Sequence, residues 1–245
     1  FENPEGVINQ YYVGQKLGEI WGYETVGIFQ TQEAVDNAPD QSRLGANWRP
    51  GDIQYADLNG DGVISPGNGT LSDPGDRKII GNTTPRLSFG LNNNFQWRNF
   101  TLNLFFQGIW KRDHWPTSGN WTWFFPFNAG HVEKYFITDS WSEDNRDAYF
   151  PHPHISTNDK KNIQTQSRFL QNAGYIRLKN MNLGYNLPQN WMETVGFQNA
   201  NIYFAGMNLW EYSPIRKPLD PESIYSGAIE YPMQRVYTLG ARITF

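Results

Sequence analysis

The run Asp57-Leu58-Asn59-Gly60-Asp61-Gly62-Val63-Ile64 places side-chain oxygens at alternate positions, a glycine sixth and an apolar residue eighth. That spacing suits Ca²⁺, which takes carboxylate, amide and carbonyl oxygens from a sharply turned backbone, as in an EF-hand loop. Asp57, Asn59, Asp61 and the Val63 carbonyl are the expected ligands. The twelfth position is Asn68 rather than a bidentate Glu, and no flanking helices are evident. Asp73 or Asp76, across the 66–74 insertion, is then expected to supply the missing carboxylate. The competing reading is an Asx-rich turn capped by its own side chains.

A second candidate lies between Trp110 and Phe127, which also holds Trp115, Trp121, Trp123, Phe124 and Phe125. Open aromatic faces stack on sugar rings or bury a partner's apolar surface. Trp115, Trp121, Trp123 and Phe125 are therefore the candidate contacts for a ligand or a covering protein. A loop packed on itself, or an aromatic girdle at a membrane interface, accounts for the same rings. His114, His131, His152 and His154 offer no third ligand at a defined spacing and are expected to be solvated loop residues. Glu133, Asp139, Glu143 and Asp144 form no better acid pair than any acidic loop would. With no Cys, no G-x-S-x-G, no H-E-x-x-H and no phosphate-cradling glycine loop, the chain is expected not to be an enzyme.

The elements that must carry these residues read as strands. In 87–97, Leu87, Phe89, Leu91, Phe95 and Trp97 share one parity, while Ser88, Gly90, Asn92, Asn94 and Gln96 share the other. After Arg98-Asn99 the alternation resumes with Phe100, Leu102, Leu104, Phe106 and Trp110 against Thr101, Asn103 and Gln107, so the pair reads as a hairpin. Each arm has 11 residues, against the roughly 9–11 that a tilted strand needs to cross a bilayer. Residues 175–187 carry Met181, Leu183, Tyr185 and Leu187 in one phase and Ile176 and Leu178 in the other, which predicts a β-bulge near Lys179-Asn180. Strands follow at 201–212 and at 237–245, and a sixth is expected at 7–13 on poorer alternation. A short helix is expected at 190–195.

Composition narrows the class. Aromatic residues are 16% of the 245 positions although apolar ones are only 38%, and the net charge is −4 with no Lys/Arg run. Nucleic acid is therefore not an expected partner. No apolar stretch approaches the ~18 residues of a membrane-spanning helix, yet a mean hydropathy of −0.64 is compatible with barrel strands, in which only alternate residues face lipid. The connections alternate in length, two residues at 98–99, a very long link at 111–174, a moderate one at 188–200 and a long one at 213–236, as in outer-membrane barrels with periplasmic turns and outer loops. The first residues, Phe1-Glu2-Asn3-Pro4-Glu5, carry no basic stretch followed by an apolar run and so do not read as a secretory signal, as expected of a mature chain or one that begins inside a longer protein.

The chain resembles the C-terminal part of the SusC/RagA-like family of TonB-dependent outer-membrane transporters. The likeness runs in order through Val26-Gly27-Ile28-Phe29-Gln30-Thr31-Gln32-Glu33, Pro50-Gly51-Asp52-Ile53-Gln54-Tyr55, the Asp57–Gly62 loop, Asp76-Arg77-Lys78-Ile79-Ile80-Gly81-Asn82 and Phe105-Phe106-Gln107-Gly108. It continues through Tyr175-Ile176-Arg177-Leu178-Lys179-Asn180, Leu183-Gly184-Tyr185-Asn186-Leu187-Pro188 and Ile243-Thr244-Phe245. It implies an all-β chain forming part of a large antiparallel transmembrane barrel, 22-stranded in the family. Residues 1–86 would be mainly extracellular loop, 87–110 a transmembrane hairpin, 111–174 an extracellular loop and 175–245 the last strands. It further implies a plug domain outside this chain, energisation through the TonB complex, a SusD-like lipoprotein lid, and import of glycans or peptides across the outer membrane. Phe245, in phase with Tyr237, Leu239 and Ile243, resembles the aromatic terminus read by the barrel-assembly machinery.

Two other readings stand beside the importer. A soluble, secreted carbohydrate-binding or glycan-cleaving β protein would be stable in plain buffer, whereas the importer segment would need detergent. A surface adhesin stiffened by calcium would leave uptake unchanged when its parent protein is removed.

Overall fold

The computed structural model describes residues 2–116, 134–154, 160–217, 219–224 and 233–245. The chain separates into two units, one of Phe1–Thr84, Asp113–Gln171 and Ser223–Ile229, the other of Pro85–Arg112, Asn172–Glu222 and Glu230–Phe245.

In the first unit the strands are short. β1 (Glu19–Tyr23) pairs antiparallel with β4 (Arg77–Asn82), and β2 (Thr25–Ile28) with β3 (Ile53–Tyr55). Helix α1 (Gln32–Asp36) starts at Thr31, whose hydroxyl accepts from the Ala34 N–H at 3.1 Å. The unit has a packed core containing Phe29, Ile53, Tyr55, Ile64, Phe150 and Phe169, each at most 2% exposed. Phe150 is ringed by Phe136 at 4.8 Å, Tyr149 at 4.9 Å and Phe169 at 5.9 Å. Residues 1–86, which read from sequence mainly as loop, therefore contribute strands and a core; elements of three to six residues are too short to display a period. The strand expected at 7–13 does not form. Turns occupy that stretch, with Val7 N–H held by the Asn3 side chain at 2.8 Å and Ile8 N–H by the Gly69 carbonyl at 2.9 Å.

The second unit is a single five-stranded antiparallel meander. β5 (Ser88–Trp97) and β6 (Phe100–Ile109) form the hairpin; then, past β7 (Asp113–His114), helix α2 (Lys134–Asp139) and β8 (Gln171–Asn172), come β9 (Tyr175–Asn186), helix α3 (Gln189–Val195), β10 (Asn199–Tyr212) and β11 (Val236–Thr244). Their order is β11-β10-β9-β6-β5. Arg98 turns the hairpin with φ 51°, the left-handed backbone that a two-residue hairpin loop requires. The bulge predicted near Lys179-Asn180 is present. Phe105 faces Asn180 but Phe106 faces Leu178, so Lys179 is the extra residue, and it returns Ile176 and Leu178 to the side of Met181 and Leu183. The neighbouring strand slips at the same level, between Met207 and Trp210, where Asn208 takes φ 53°.

Cross-strand partners share a face, and the pairings Phe95↔Leu102↔Leu183↔Phe204↔Leu239 and Trp97↔Phe100↔Tyr185↔Ile202↔Ala241 carry one apolar face across all five strands. Asn93, opposite Leu104, interrupts it. No large apolar side chain on this face is buried: Leu91 is 54% exposed, Phe95 57%, Leu239 79% and Ile243 46%, and Phe89, Leu102 and Leu104 are only half-buried. A soluble sandwich would have sealed these residues between two sheets. At roughly 25 cal/mol per Å² of apolar surface, so continuous a face is tolerable only against hydrocarbon. Leu183→Lys, mid-strand on this face, is expected to cost about 2–4 kcal/mol, whereas Asn182→Lys on the opposite face should be near neutral. Urea unfolding from lipid vesicles checks the pair.

Candidate wall and loop sites

Opposite the apolar face, β5 to β11 present Asn92, Asn94, Gln96, Asn103, Gln107, Asn182 and Asn201, with Phe105 and Tyr203 among them. Amides donate and accept hydrogen bonds without fixed charge, so such a surface hydrates readily. Aromatic residues collect at both ends of the sheet. At the turn end Trp97 stacks on Phe100 at 6.4 Å, Phe100 meets Tyr185 at 4.6 Å, and Phe197 meets Phe245 at 5.3 Å. At the other end Trp110, Trp210 and Tyr212 are 74%, 48% and 63% exposed. Two aromatic rims flanking an apolar band is the pattern of a membrane barrel wall.

In the first unit the side-chain oxygens of Asp57, Asn59 and Asp61 all turn into their own loop. Asp57 accepts from Gly60 and Gly62 N–H at 2.7 and 2.8 Å, Asn59 from Asp61 N–H at 3.0 Å, and Asp61 from Val63 N–H at 2.8 Å. Gly60 and Gly62 adopt φ 77° and 81°, so the glycines are required there. Asp76 is fully buried and accepts from Leu58 N–H at 2.8 Å and Ser65 N–H at 2.7 Å, closing the loop's two ends. Among the described residues no group of three or more His, Asp or Glu side chains gathers to hold a metal. Trp115 is half-buried; Trp121, Trp123 and Phe125 lie outside the described residues.

Sequence reasoning missed the buried charges. Asp52, fully buried, pairs with Lys161 Nζ at 2.8 Å and accepts from Asn162 at 2.8 Å and from His154 Nε2 at 2.7 Å. Because an arginine can only donate, the contact of Arg49 with His154 Nδ1 at 2.7 Å makes Nδ1 the acceptor and leaves Nε2 to carry the proton toward Asp52. Lys161 also donates to the Ala46 and Asn47 carbonyls at 3.2 and 2.9 Å, and Asn162 accepts from Ile53 N–H at 2.9 Å. His154 is thus a structural partner and His114 is buried, not the solvated residues expected. The fault is one of range: Asp52 and Lys161 are 109 positions apart, and no local pattern joins them. Burial pushes the Asp52 carboxyl up, but hydrogen bonds from His154, Lys161 and Asn162, with the Lys161 charge, outweigh it and hold the carboxyl below the usual range.

The second unit buries Arg177, 1% exposed, on the amide face of β9. Its guanidinium pairs with Glu211, with Asp220 Oδ2 at 2.9 Å and with Glu222 Oε1 at 2.7 Å. Lys179 Nζ reaches Glu222 Oε2 at 3.0 Å, and Arg112 donates to the Pro221 carbonyl.

No protein-family model matches the chain. TonB-dependent receptor P3 of Formosa agariphila is 29% identical over 249 residues, spanning 95% of this chain and 22% of the receptor. TonB-dependent receptor P26 of the same organism is 28% identical over 254 residues, 95% of this chain and 23% of its own length. Along nearly its whole length the chain is thus similar to TonB-dependent receptors. Its fold is also that of the RagAB peptide transporter, with a TM-score of 0.62 at 21% identity over 94% of this chain and 23% of that one. The RagAB peptide importer in its "open-open" state gives 0.60 at 19% identity over 96% and 24%. The chain thus spans under a quarter of the length of these relatives.

The lowered Asp52 pKa fixes a sign. The unfolded carboxyl binds protons first as pH falls, so the stabilisation is full above the ordinary Asp value and is lost as pH drops through the folded one. The first unit should therefore loosen below about pH 4. Lys161→Met should cost about 3–5 kcal/mol by removing the cation that pairs with the buried Asp52 carboxylate. Hydrogen exchange of residues 41–55 against pH reads both effects.

Proposed function

We propose that the full-length protein is a TonB-dependent importer of glycans or peptides, and that this chain supplies part of its barrel wall and outer loops. The observation that carries this reading is the two-faced sheet, apolar and uncovered on one side and lined with amides on the other. On this reading the apolar face meets outer-membrane lipid and the amide face a hydrated lumen. Residues 1–86 and 111–174 lie mainly outside, where Trp115, Trp121, Trp123 and Phe125 contact the solute or a SusD-like lipoprotein. The remaining length provides the other strands of a 22-stranded barrel, the plug and the segment that meets the TonB complex. RagAB is described as a peptide importer, which supports peptides as the first substrates to test. Deleting the receptor gene should abolish uptake of labelled oligopeptides or oligosaccharides, and tagged receptor should co-purify a surface lipoprotein. Unchanged uptake of both solutes would contradict the reading.

The Asp57–Ile64 loop supports a Ca²⁺ role in the same outer region. Its inward oxygens at 57, 59 and 61 and the Val63 carbonyl would take the ion, with Asp76 holding the loop closed. Calcium titration of the purified receptor should raise the stability of residues 57–64 to exchange, and Asp61→Ala should remove that response. An Asx turn alone would show no response in either protein.

A further inference from the structure

The link from β10 to β11 does not simply lead outward. Arg177 stands on the amide face, paired in register with Gln107 on one side and Glu211 on the other, and Asn92, Asn94, Gln96, Asn103 and Gln107 on that face are exposed. Arg177 is nevertheless almost wholly covered, and residues 219–222 help to cover it. Having left β10 at Tyr212, the chain comes back to set Asp220 and Glu222 against the guanidinium and to reach Lys179, the bulge residue further down β9. Glu222 N–H donates to Asp220 Oδ1 at 2.8 Å, a short turn that helps to position both acids, and Ser213 Oγ ties the start of the link to the Gly174 carbonyl at 2.7 Å. Ordering such a link costs conformational entropy at every residue, and burying its charges is tolerable only because each meets an opposite charge. A connection that merely joined two strands would need neither.

We propose that residues 219–222 form a clasp folded over the lumen side of the wall, held by Arg177 and Lys179 as positioning residues, and that it narrows the outer end of the conduit and limits the size of solute imported. The assignment of the amide face to the lumen rests on the importer reading; the clasp itself rests on the ion pairs. The bulge gives Lys179 its place in this arrangement. Without the extra residue, the parity of β9 above it would reverse and carry Arg177 to the lipid side.

The test uses the full-length receptor in lipid nanodiscs and in cells. Wild type should protect the amides of Leu219, Asp220 and Glu222 from hydrogen exchange, and the near-isosteric double variant Asp220→Asn with Glu222→Gln should exchange there at least about tenfold faster while β9 and β10 stay unchanged. In cells the double variant should raise uptake of long oligopeptides or oligosaccharides relative to short ones severalfold. Fast exchange of 219–222 in wild type, or an unchanged long-to-short ratio in a variant whose clasp has opened, would overturn the proposal. Wild-type cells that import neither length through this receptor would sink the importer reading, and the size limit with it, while the exchange data still report on the clasp.

Discussion

A sheet one layer thick can keep a greasy face only where something other than water lies against it. The five strands β5, β6, β9, β10 and β11 do this in register, because the turn at Arg98 and the bulge at Lys179 keep every apolar ladder in phase from Trp97 to Ile243. A slip of one residue would put Leu, Phe and Ile on the amide face and the amides on the apolar one. The same setting makes the outer edges of β5 and β11 untenable alone, since each unpaired N–H or C=O in hydrocarbon costs several kcal/mol. The chain is thus an arc of a larger closed barrel, in keeping with its share of its relatives' length.

The first unit solves a different problem. It has few long strands and many turns, so its backbone polar groups cannot all be paired within regular structure. Asp52, Lys161, Asn162 and Gln41 take them up instead: Gln41 alone accepts from Tyr55 N–H at 2.7 Å and donates to the Ile53 carbonyl at 3.1 Å. Polar pins of this kind fix one arrangement of segments distant in sequence, at the cost of sensitivity to any change that leaves a partner buried and alone.

What could be read in the sequence follows from range. Period two over ten or more residues revealed the hairpin 88–109, the later strands and even the phase slip at Lys179, because each depends on neighbours within one strand. Short strands such as Ile53–Tyr55 carry too few residues to show a period, and the poor alternation at 7–13 proved to be turns. The Asp57–Gly62 loop was legible as local chemistry. The pairing of Asp52 with Lys161 and His154 was not, nor that of Arg177 with Asp220 and Glu222, since a charge's partner is set by tertiary approach and not by spacing.

Spin labels placed singly at Leu102 and Leu239, and at their neighbours Asn103 and Thr238, in the full-length protein in lipid would test the central claim most directly. The account expects Leu102 and Leu239 labels to be relaxed by oxygen dissolved in the bilayer, and Asn103 and Thr238 labels by a water-soluble nickel complex. Labels at Leu102 and Leu239 that neither agent reaches, as in a sealed core, or an inverted pattern, would contradict it.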